Sequence, residues 1–563
     1  MQLLTPLQIG SRTAPNRIMF GPHVTNLGNH DRSFSDRHVA YYERRARGGC
    51  GLIVTEGASV HESDWPYERA PRADLCGPSW SSIVEACHAH DAIVIASLDH
   101  AGGQGSSAFH QSPLWAPSRV PEVITREVPK WMEGDDIQAV IDGFCLATTI
   151  ALDAGCDGVE INAGQHSLVR QFLSGLTNQR TDEWGTDKTL FARQVISAVR
   201  AAGSGSAVIG LRLSCDELAP WAGITPEIAS QLAKQLVADG IDYLVVVRGS
   251  IYSAEKTRPD FHEPPMFNRE LCSEIKSHVR IPVFLQGSVI DVQLAEELIA
   301  SNHCDAVEMT RAQIADAELV SKLRSQNSSR IRPCILCNQT CQVRDVRNPL
   351  VTCVVDPRSG YESTDMQEEI PAAMQRSVTV IGGGVAGLET ARVAALCGHR
   401  VTVVEHNENI GGLVAVAGPG KGFVDWLTSE CAHLSVTIKT RTEWSSGASA
   451  SAEGEDVNTD VVIQCTGSQP GIRGYDMQPT AKVIDVAEFR YGTIRLPEVG
   501  DIVIQDPVGG PIGIAVAEEL GNRAILITPD NVAGNELSRT GDLAPANVRL
   551  AKAGVRVIRR ALL

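Results

Sequence analysis

Val378-Thr-Val-Ile381-Gly382-Gly-Gly384-Val-Ala-Gly387 joins a short apolar strand to a glycine turn and to a helix that runs through Ala395. A second apolar run, Arg400–Val404, ends at Glu405, eighteen positions after Gly387. This is the dinucleotide-binding order. Glycines permit a tight turn and close approach of a pyrophosphate, the helix N-terminus stabilises its charge, and the acid bonds a ribose hydroxyl. GxGxxG alone is a weak signal; with strand, helix and acid in place it is a strong one. Gly411-Gly412 follows the acid and favours FAD over NAD. The expected nucleotide contacts are Gly382, Gly384, Gly387, Glu405 and Gly412.

Downstream, a strand from Ile502 leads into Asp506-Pro-Val508-Gly-Gly510-Pro-Ile-Gly513. Val508 stands where the first glycine of GxGxxG belongs, and a Val side chain loses the turn that Gly allows. A second Rossmann-like segment is expected over 491–563, with its NAD(P)H site left open. No closing segment of an FAD domain is found before Leu563, so a truncated or short form is expected.

Upstream lies Cys334-Ile-Leu-Cys337-Asn-Gln-Thr-Cys341, followed by Cys353, a C-x2-C-x3-C-x11-C spacing. Closely spaced thiolates on a loop hold iron–sulfur clusters, and four Cys also suit tetrahedral zinc. The bland alternative is four unlinked thiols. A redox cluster between two flavin domains has an obvious use, which favours iron–sulfur. A polar segment, Ser359–Met374, reads as a linker, and Ser445–Asp460 as a surface loop.

The first part of the chain alternates short β-rich apolar runs with amphipathic helices. The runs are Arg17–Phe20, Gly51–Thr55, Ile93–Leu98, Gly158–Ile161, Val208–Leu213, Tyr243–Val247, Pro282–Leu285 and Ala306–Met309. Continuous apolar strands separated by helices imply a parallel sheet buried on both faces. Eight such units imply a closed (β/α)8 barrel with its chemistry at the strand ends; an open doubly wound sheet is the alternative. The expected architecture is α/β: an N-terminal (β/α)8 TIM barrel over 1–330, a cluster segment and linker over 331–376, and an FAD/NAD(P)-type Rossmann-like domain from 377 to 490.

The chain has 563 residues with a formal charge of −17, from 50 basic and 67 acidic side chains. That charge argues against nonspecific nucleic-acid binding. No apolar run approaches the roughly 20 residues needed to span a bilayer, and the start carries no secretory signal pattern. Of the 15 Cys, most sit singly in apolar stretches, so a reducing, cytoplasmic setting is expected.

With barrel, cysteine cluster and glycine turn in this order, the chain resembles the old yellow enzyme superfamily. More narrowly it resembles the 2,4-dienoyl-CoA reductase and trimethylamine dehydrogenase group, and within that the branch found near mycofactocin redox systems. The resemblance covers nearly the whole chain and is most specific at Ala14-Pro-Asn-Arg17, Gly158-Val-Glu160, Thr177-Asn-Gln-Arg180 with Asp182-Glu-Trp-Gly185, and the cluster Cys334-x2-Cys337-Asn-Gln-x-Cys341. It implies FMN at the barrel mouth, a [4Fe-4S] cluster on Cys334, Cys337, Cys341 and Cys353, and FAD or an ADP moiety in the second domain. Implied FMN contacts are Pro22, His23, Val24 and Thr25, Ala58, Arg212, and a phosphate site near Gly287 and Arg311.

Departures from the group bear on substrate. Ser97 stands where many members place a flavin-contacting Gln. Ser167 and Ser253 stand where dienoyl-CoA reductases place a Tyr proton donor and its His partner. Serine is a poor general acid near neutral pH, so His166 becomes the acid/base candidate, with Tyr252 as a cavity-lining or acidic group. Trp115, Trp131 and Trp221 offer a cage for a methylated ammonium. The expected function is a flavin and iron–sulfur oxidoreductase acting on a small molecule, as an enoate/dienoyl-CoA-type reductase fed by NAD(P)H. The alternatives are an N-methyl amine dehydrogenase passing electrons to a protein carrier, and a non-catalytic electron-transfer flavoprotein. A homo-oligomer is expected.

Overall fold

The computed structural model describes all residues except 124, 204, 344–348, 366–369, 445–458, 469–475 and 477. The Ser445–Asp460 loop and part of the Ser359–Met374 linker therefore lie outside the described residues. Chain contacts divide the molecule into two units, Met1–Thr364 and Asp365–Leu563.

In the first unit eight strands form one closed parallel ring. They are β1 (Ile18–Phe20), β2 (Leu52–Val54), β3 (Ile93–Asp99), β4 (Gly158–Ala163), β5 (Val208–Asp216), β6 (Tyr243–Arg248), β7 (Val283–Leu285) and β8 (Ala306–Glu308). Each pairs with its sequence neighbour, and β8 returns to β1. The barrel reading thus prevails over the open sheet, because the β8–β1 pairing removes both edges. Helices follow the first seven strands, α1 (Asp36–Arg47), α2 (Gly77–His88), α3 (Gly134–Asp153), α4 (Leu190–Ala202), α5 (Pro226–Ala238), α6 (Arg269–His278) and α7 (Val292–Ala300), and short helices Thr310–Ala315 and Leu319–Arg324 follow the eighth. Asp291 caps α7 through the amides of Gln293 and Leu294, as an acidic N-cap should.

Alternation along the strands divides two cores. Leu52, Val54, Ile93, Ile95, Val208, Tyr243, Val245 and Phe284 fill the barrel interior, while Ile53, Val94, Leu244 and Val246 face the helices. An antiparallel hairpin, Leu7–Ile9 with Arg12–Ala14, adds Ile9 and Ala14 to the interior cluster. The interior residues are thus a packed core rather than a pore.

In the second unit β9 (Ser377–Ile381), β10 (Arg400–Val404), β11 (Thr437–Lys439) and β12 (Val461–Gln464) form a parallel sheet in the order β11-β10-β9-β12. Helix α8 (Val385–Leu396) crosses between β9 and β10. A separate parallel sheet holds β13 (Ile502–Gln505), β14 (Ala524–Thr528) and β15 (Arg556–Arg559), with α9 (Pro511–Leu520) after β13. Among the described residues, no helix is long and apolar enough to cross a membrane.

Candidate functional site

The rim of the barrel gathers residues from the strand ends. In the loop after β1, the His23 ring lies 5.2 Å from Phe20 and 5.8 Å from Tyr41 between ring centroids. Its Nδ1 is 3.0 Å from Gly21 O and its Nε2 2.9 Å from Tyr41 Oη. A carbonyl only accepts, so Nδ1 carries the proton and Nε2 accepts from the phenol. Burial pushes this imidazole down to about 4, and it is neutral at pH 7. Thr25 donates its amide to Glu56 Oε1 at 2.7 Å, and Tyr67 Oη donates to the same oxygen at 2.7 Å. His38 Nε2 lies 2.9 Å from Glu56 Oε2. Burial alone would raise Glu56; the His38 charge and these donors outweigh it and hold the carboxyl below its usual value. This network fixes the loop carrying Pro22, His23, Val24 and Thr25. Ala58 and Ser97 are buried.

Arg212, on β5, lies inside the barrel between two carboxylates. Its Nε donates to Glu160 Oε1 at 2.9 Å, and its Nη2 is 2.7 Å from Glu308 Oε2. Burial opposes the charge on Arg212, and the two carboxylates reverse that and raise its pKa. Arg311 donates through Nη1 to Pro259 O and to Asn338 Oδ1, each at 2.7 Å, and through Nη2 to Ser288 Oγ. Gly287 has φ +152°, and a Cβ there would lie 3.2 Å from Asn268 and Phe267 atoms. Beside it Gln286 Oε1 and Asn268 Oδ1 are buried without a hydrogen-bond partner among the described residues. Buried polar atoms are nearly always satisfied, so these two mark a place built for a ligand with hydroxyl donors. A flavin with its ribityl chain has that chemistry.

The four clustered cysteines converge. Cys334, Cys337, Cys341 and Cys353 line one cavity with Arg311, Ile314 and Asn338. Left-handed residues Leu336 (φ 52°) and Asn338 (φ 50°) fold the loop back on itself, and the Leu336 amide donates to Cys334 Sγ at 3.4 Å. Cys353 is brought alongside by Thr352, whose amide donates to Thr340 O at 3.3 Å. Val351 N donates to Thr25 O at 2.9 Å, tying this loop to the barrel rim. All 15 cysteines are unbridged. Burial and the neighbouring thiols push Cys334, Cys337 and Cys353 up to about 12. Four thiols on one small cavity, with no disulfide between them, fit a metal or cluster whose positive charge would ionise them.

The acid/base candidates are less convergent. His166 has φ 60° and is half-buried in the turn after β4. Tyr252 is 42% exposed and lines a separate pocket with Gln104, Gln171, Thr177 and Glu122, which does not include His166. Ser167 Oγ accepts from Arg170 N at 3.1 Å as a helix cap, and Ser253 Oγ donates to Glu217 O at 3.2 Å. Both serines therefore serve the scaffold. His100 is buried, its Nδ1 accepting from Gly102 N at 3.0 Å. The tryptophan cage does not form: Trp221 is 74% exposed, and Arg180 and Lys130 sit over Trp131 and Trp115 at 4.7 and 5.2 Å. Internal cations already occupy those faces. The Thr177–Gly185 stretch is a structural turn, with Arg180 Nε 3.0 Å from Asp182 Oδ1 and Nη1 2.7 Å from Met132 O.

In the second unit each fingerprint glycine has a separate reason. Gly382 has φ +105°, and a Cβ would meet Cys465 O at 2.3 Å; one on Gly387 would meet Gly382 O at 1.8 Å. At Gly384, the N-cap of α8, a Cβ would meet nothing within 4 Å. This leaves the first-turn amides open for a phosphate. Glu405 Oε2 accepts from Gly383 N at 2.7 Å and Oε1 from Asn407 N at 2.7 Å. Asn407 Nδ2 donates to Oε1 as well at 2.8 Å; a carboxylate has about four acceptor sites, so one remains for a ribose hydroxyl. Gly411 N donates to Gly383 O at 2.7 Å, placing Gly412 over the turn. The second sheet differs. There Asp506 Oδ1 accepts from Val508 N at 3.2 Å and Gly509 N at 2.9 Å, so a carboxylate holds amides that a diphosphate would need.

Sequence reasoning assigned no role to Glu56, Glu308 or Asn338. Glu308 carried a usable signal, a charge inside the apolar run Ala306–Met309.

A closed parallel barrel with a polar rim, followed by a glycine-turn nucleotide unit, defines a flavin-type oxidoreductase. Residues 2–329 match the NADH:flavin oxidoreductase / NADH oxidase family, and residues 355–495 match the pyridine nucleotide-disulphide oxidoreductase family. The chain is 32% identical over 547 residues to an NADH oxidase of Thermoanaerobacter brockii, covering 92% of this chain and 81% of the relative. It is 29% identical over 552 residues to an N,N-dimethylglycine/sarcosine dehydrogenase of Chromohalobacter salexigens, covering 93% and 78%. A 2-naphthoyl-CoA reductase structure shares the fold with a TM-score of 0.91 at 24% identity, covering 100% of this chain and 88% of that one. The chain belongs to the NADH:flavin oxidoreductase / NADH oxidase family, and it is an FMN-dependent oxidoreductase acting on small molecules.

Proposed function

We propose that the chain exchanges hydride between a small organic substrate and FMN, and moves the electrons through a [4Fe-4S] cluster to or from a second flavin nucleotide. The observation that carries this is the convergence of Cys334, Cys337, Cys341 and Cys353 on a cavity that Arg311 also lines, in a loop hydrogen-bonded to the barrel rim. FMN would be held by Pro22–Thr25, Ala58, Ser97 and Arg212, with its phosphate near Gly287 and Arg311. The second nucleotide, FAD or an ADP moiety, would lie on Gly382, Gly384, Gly387, Glu405 and Gly412. When bound, these groups supply hydride acceptance and one-electron transfer, which no side chain provides. The chain's own residues position and select. Arg311 supplies a fixed cation, the Glu56 network holds the rim loop, and neutral His23 keeps an extra charge away from the mouth. His166 is the proton-moving candidate and Tyr252 a substrate contact.

A second reading, oxidation of an N-methylated amine with electrons leaving to a protein carrier, is favoured by the dehydrogenase relative and by Asp506, whose charge opposes a diphosphate at the second sheet. Anaerobic purification of the full chain, with flavin identification and iron and sulfide assays, tests the cofactor set. Titration with NADH, NADPH and dimethylglycine then sets direction. Bleaching by a reduced nicotinamide supports the reductase, and bleaching by the amine alone supports the dehydrogenase. Zinc in place of iron, with no flavin, would refute both.

A further inference from the structure

Arg212 has an unusual surplus of anionic partners. Glu160 is fully buried, and Arg212 and Glu308 are each 8% exposed. Glu160 engages Arg212 Nε at 2.9 Å and also accepts from Tyr243 Oη at 2.9 Å. Glu308 Oε2 lies 2.7 Å from Nη2 as an ion pair without hydrogen-bond alignment, and its other oxygen accepts from Thr310 Oγ1 at 3.1 Å. Space for Glu308 is left by the neighbouring strand, because a Cβ on Gly21 would fall 2.3 Å from Glu308 Cδ. Gly21 in turn donates its amide to Thr310 Oγ1 at 2.9 Å, so the pocket for this carboxylate is built from both sides. Arg258 lies within electrostatic reach of Glu308, but its Nη1 donates to Cys341 O at 3.2 Å.

One carboxylate suffices to keep a buried guanidinium paired, and Glu160 already does so. The second has a consequence for anything seated at the mouth. In a low-dielectric interior a guanidinium paired to one carboxylate projects little net field, and a second carboxylate at 2.7 Å tips the buried trio towards negative. We propose that Glu308 is a positioning residue that withdraws the Arg212 charge from the flavin and makes that flavin harder to reduce. The inference rests on the flavin site proposed above. Reduction builds negative charge at the pyrimidine end of the ring, so its equilibrium reads the field of Arg212 directly.

The test compares the full chain with Glu308→Gln, which keeps the size and the bond to Thr310, and with Glu308→Ser as a second variant. Each is reduced anaerobically against a reference dye, and the oxidised and reduced forms are read by visible spectroscopy. The expected result is a reduction equilibrium at least tenfold more favourable in both variants, about 30 mV for a two-electron couple. Flavin-loaded variants within threefold of the parent chain would overturn the inference and leave Glu308 as a structural ion pair. A parent chain purified without flavin would instead remove the flavin site, and this inference with it.

Discussion

Two glycines three residues apart should separate folding from the nucleotide binding proposed for this turn. At Gly387 a Cβ would lie 1.8 Å from Gly382 O. A non-bonded pair rests near about 3.5 Å, so helix α8 would have to retreat by roughly 1.7 Å from the turn that positions it. Overpacking of this kind costs about 1–3 kcal/mol, occasionally more, and Gly387→Ala belongs at the upper end. At Gly384 the backbone is φ −73°, ψ −179°, which alanine adopts freely, and no atom lies within 4 Å of its Cβ. Gly384→Ala should therefore change stability by about 0.5 kcal/mol or less. Its methyl group would nevertheless stand over the first-turn amides that a pyrophosphate must approach. The expected pair of outcomes is a lowered melting transition for Gly387→Ala, and an unchanged transition with bound nucleotide reduced at least tenfold for Gly384→Ala. Circular dichroism on heating measures the first, and chromatography of nucleotide released from the denatured chain measures the second. Full nucleotide content in Gly384→Ala, together with parental stability of Gly387→Ala, would refute the assignment of roles to this turn.

Replacing Cys353 by Ser should abolish acid-labile sulfide and most iron in anaerobically purified protein, whereas replacing the isolated buried Cys431 should leave both unchanged. Arg170 and Glu217 form an ion pair at 0% side-chain exposure on both sides. Arg170→Met should therefore destabilise the barrel by about 3–5 kcal/mol, and adding Glu217→Leu should recover most of that, as read from thermal midpoints. His23 titrates from an ordinary 6.5 when unfolded to about 4 when folded. Between those values the unfolded chain binds more protons, so stability is complete above pH 6.5 and falls by up to about 3 kcal/mol as pH drops to 4. His23→Asn should flatten that slope in denaturant titrations at stepped pH.

Eight apolar runs separated by amphipathic helices were enough to specify a closed barrel, because strand burial on both faces is written as local hydrophobicity. The glycine turn was legible for a similar reason: strand, glycines, helix and acid are contiguous, and their spacing fixes their geometry. Cys334, Cys337 and Cys341 are adjacent in the chain, so their convergence was also foreseeable. Tertiary structure decided the rest. Glu160 and Arg212 sit on neighbouring strands, but Glu308 joins them only because the barrel closes and Gly21 leaves room, a through-space pairing that the charge in its apolar run did not specify. The same holds for the tryptophans, whose faces were taken by cations distant in sequence, and for Ser167 and Ser253, which became scaffold groups. Periodicity and spacing encode what neighbours along the chain must do, whereas charge partnership depends on which distant atoms the packed fold brings within 3 Å.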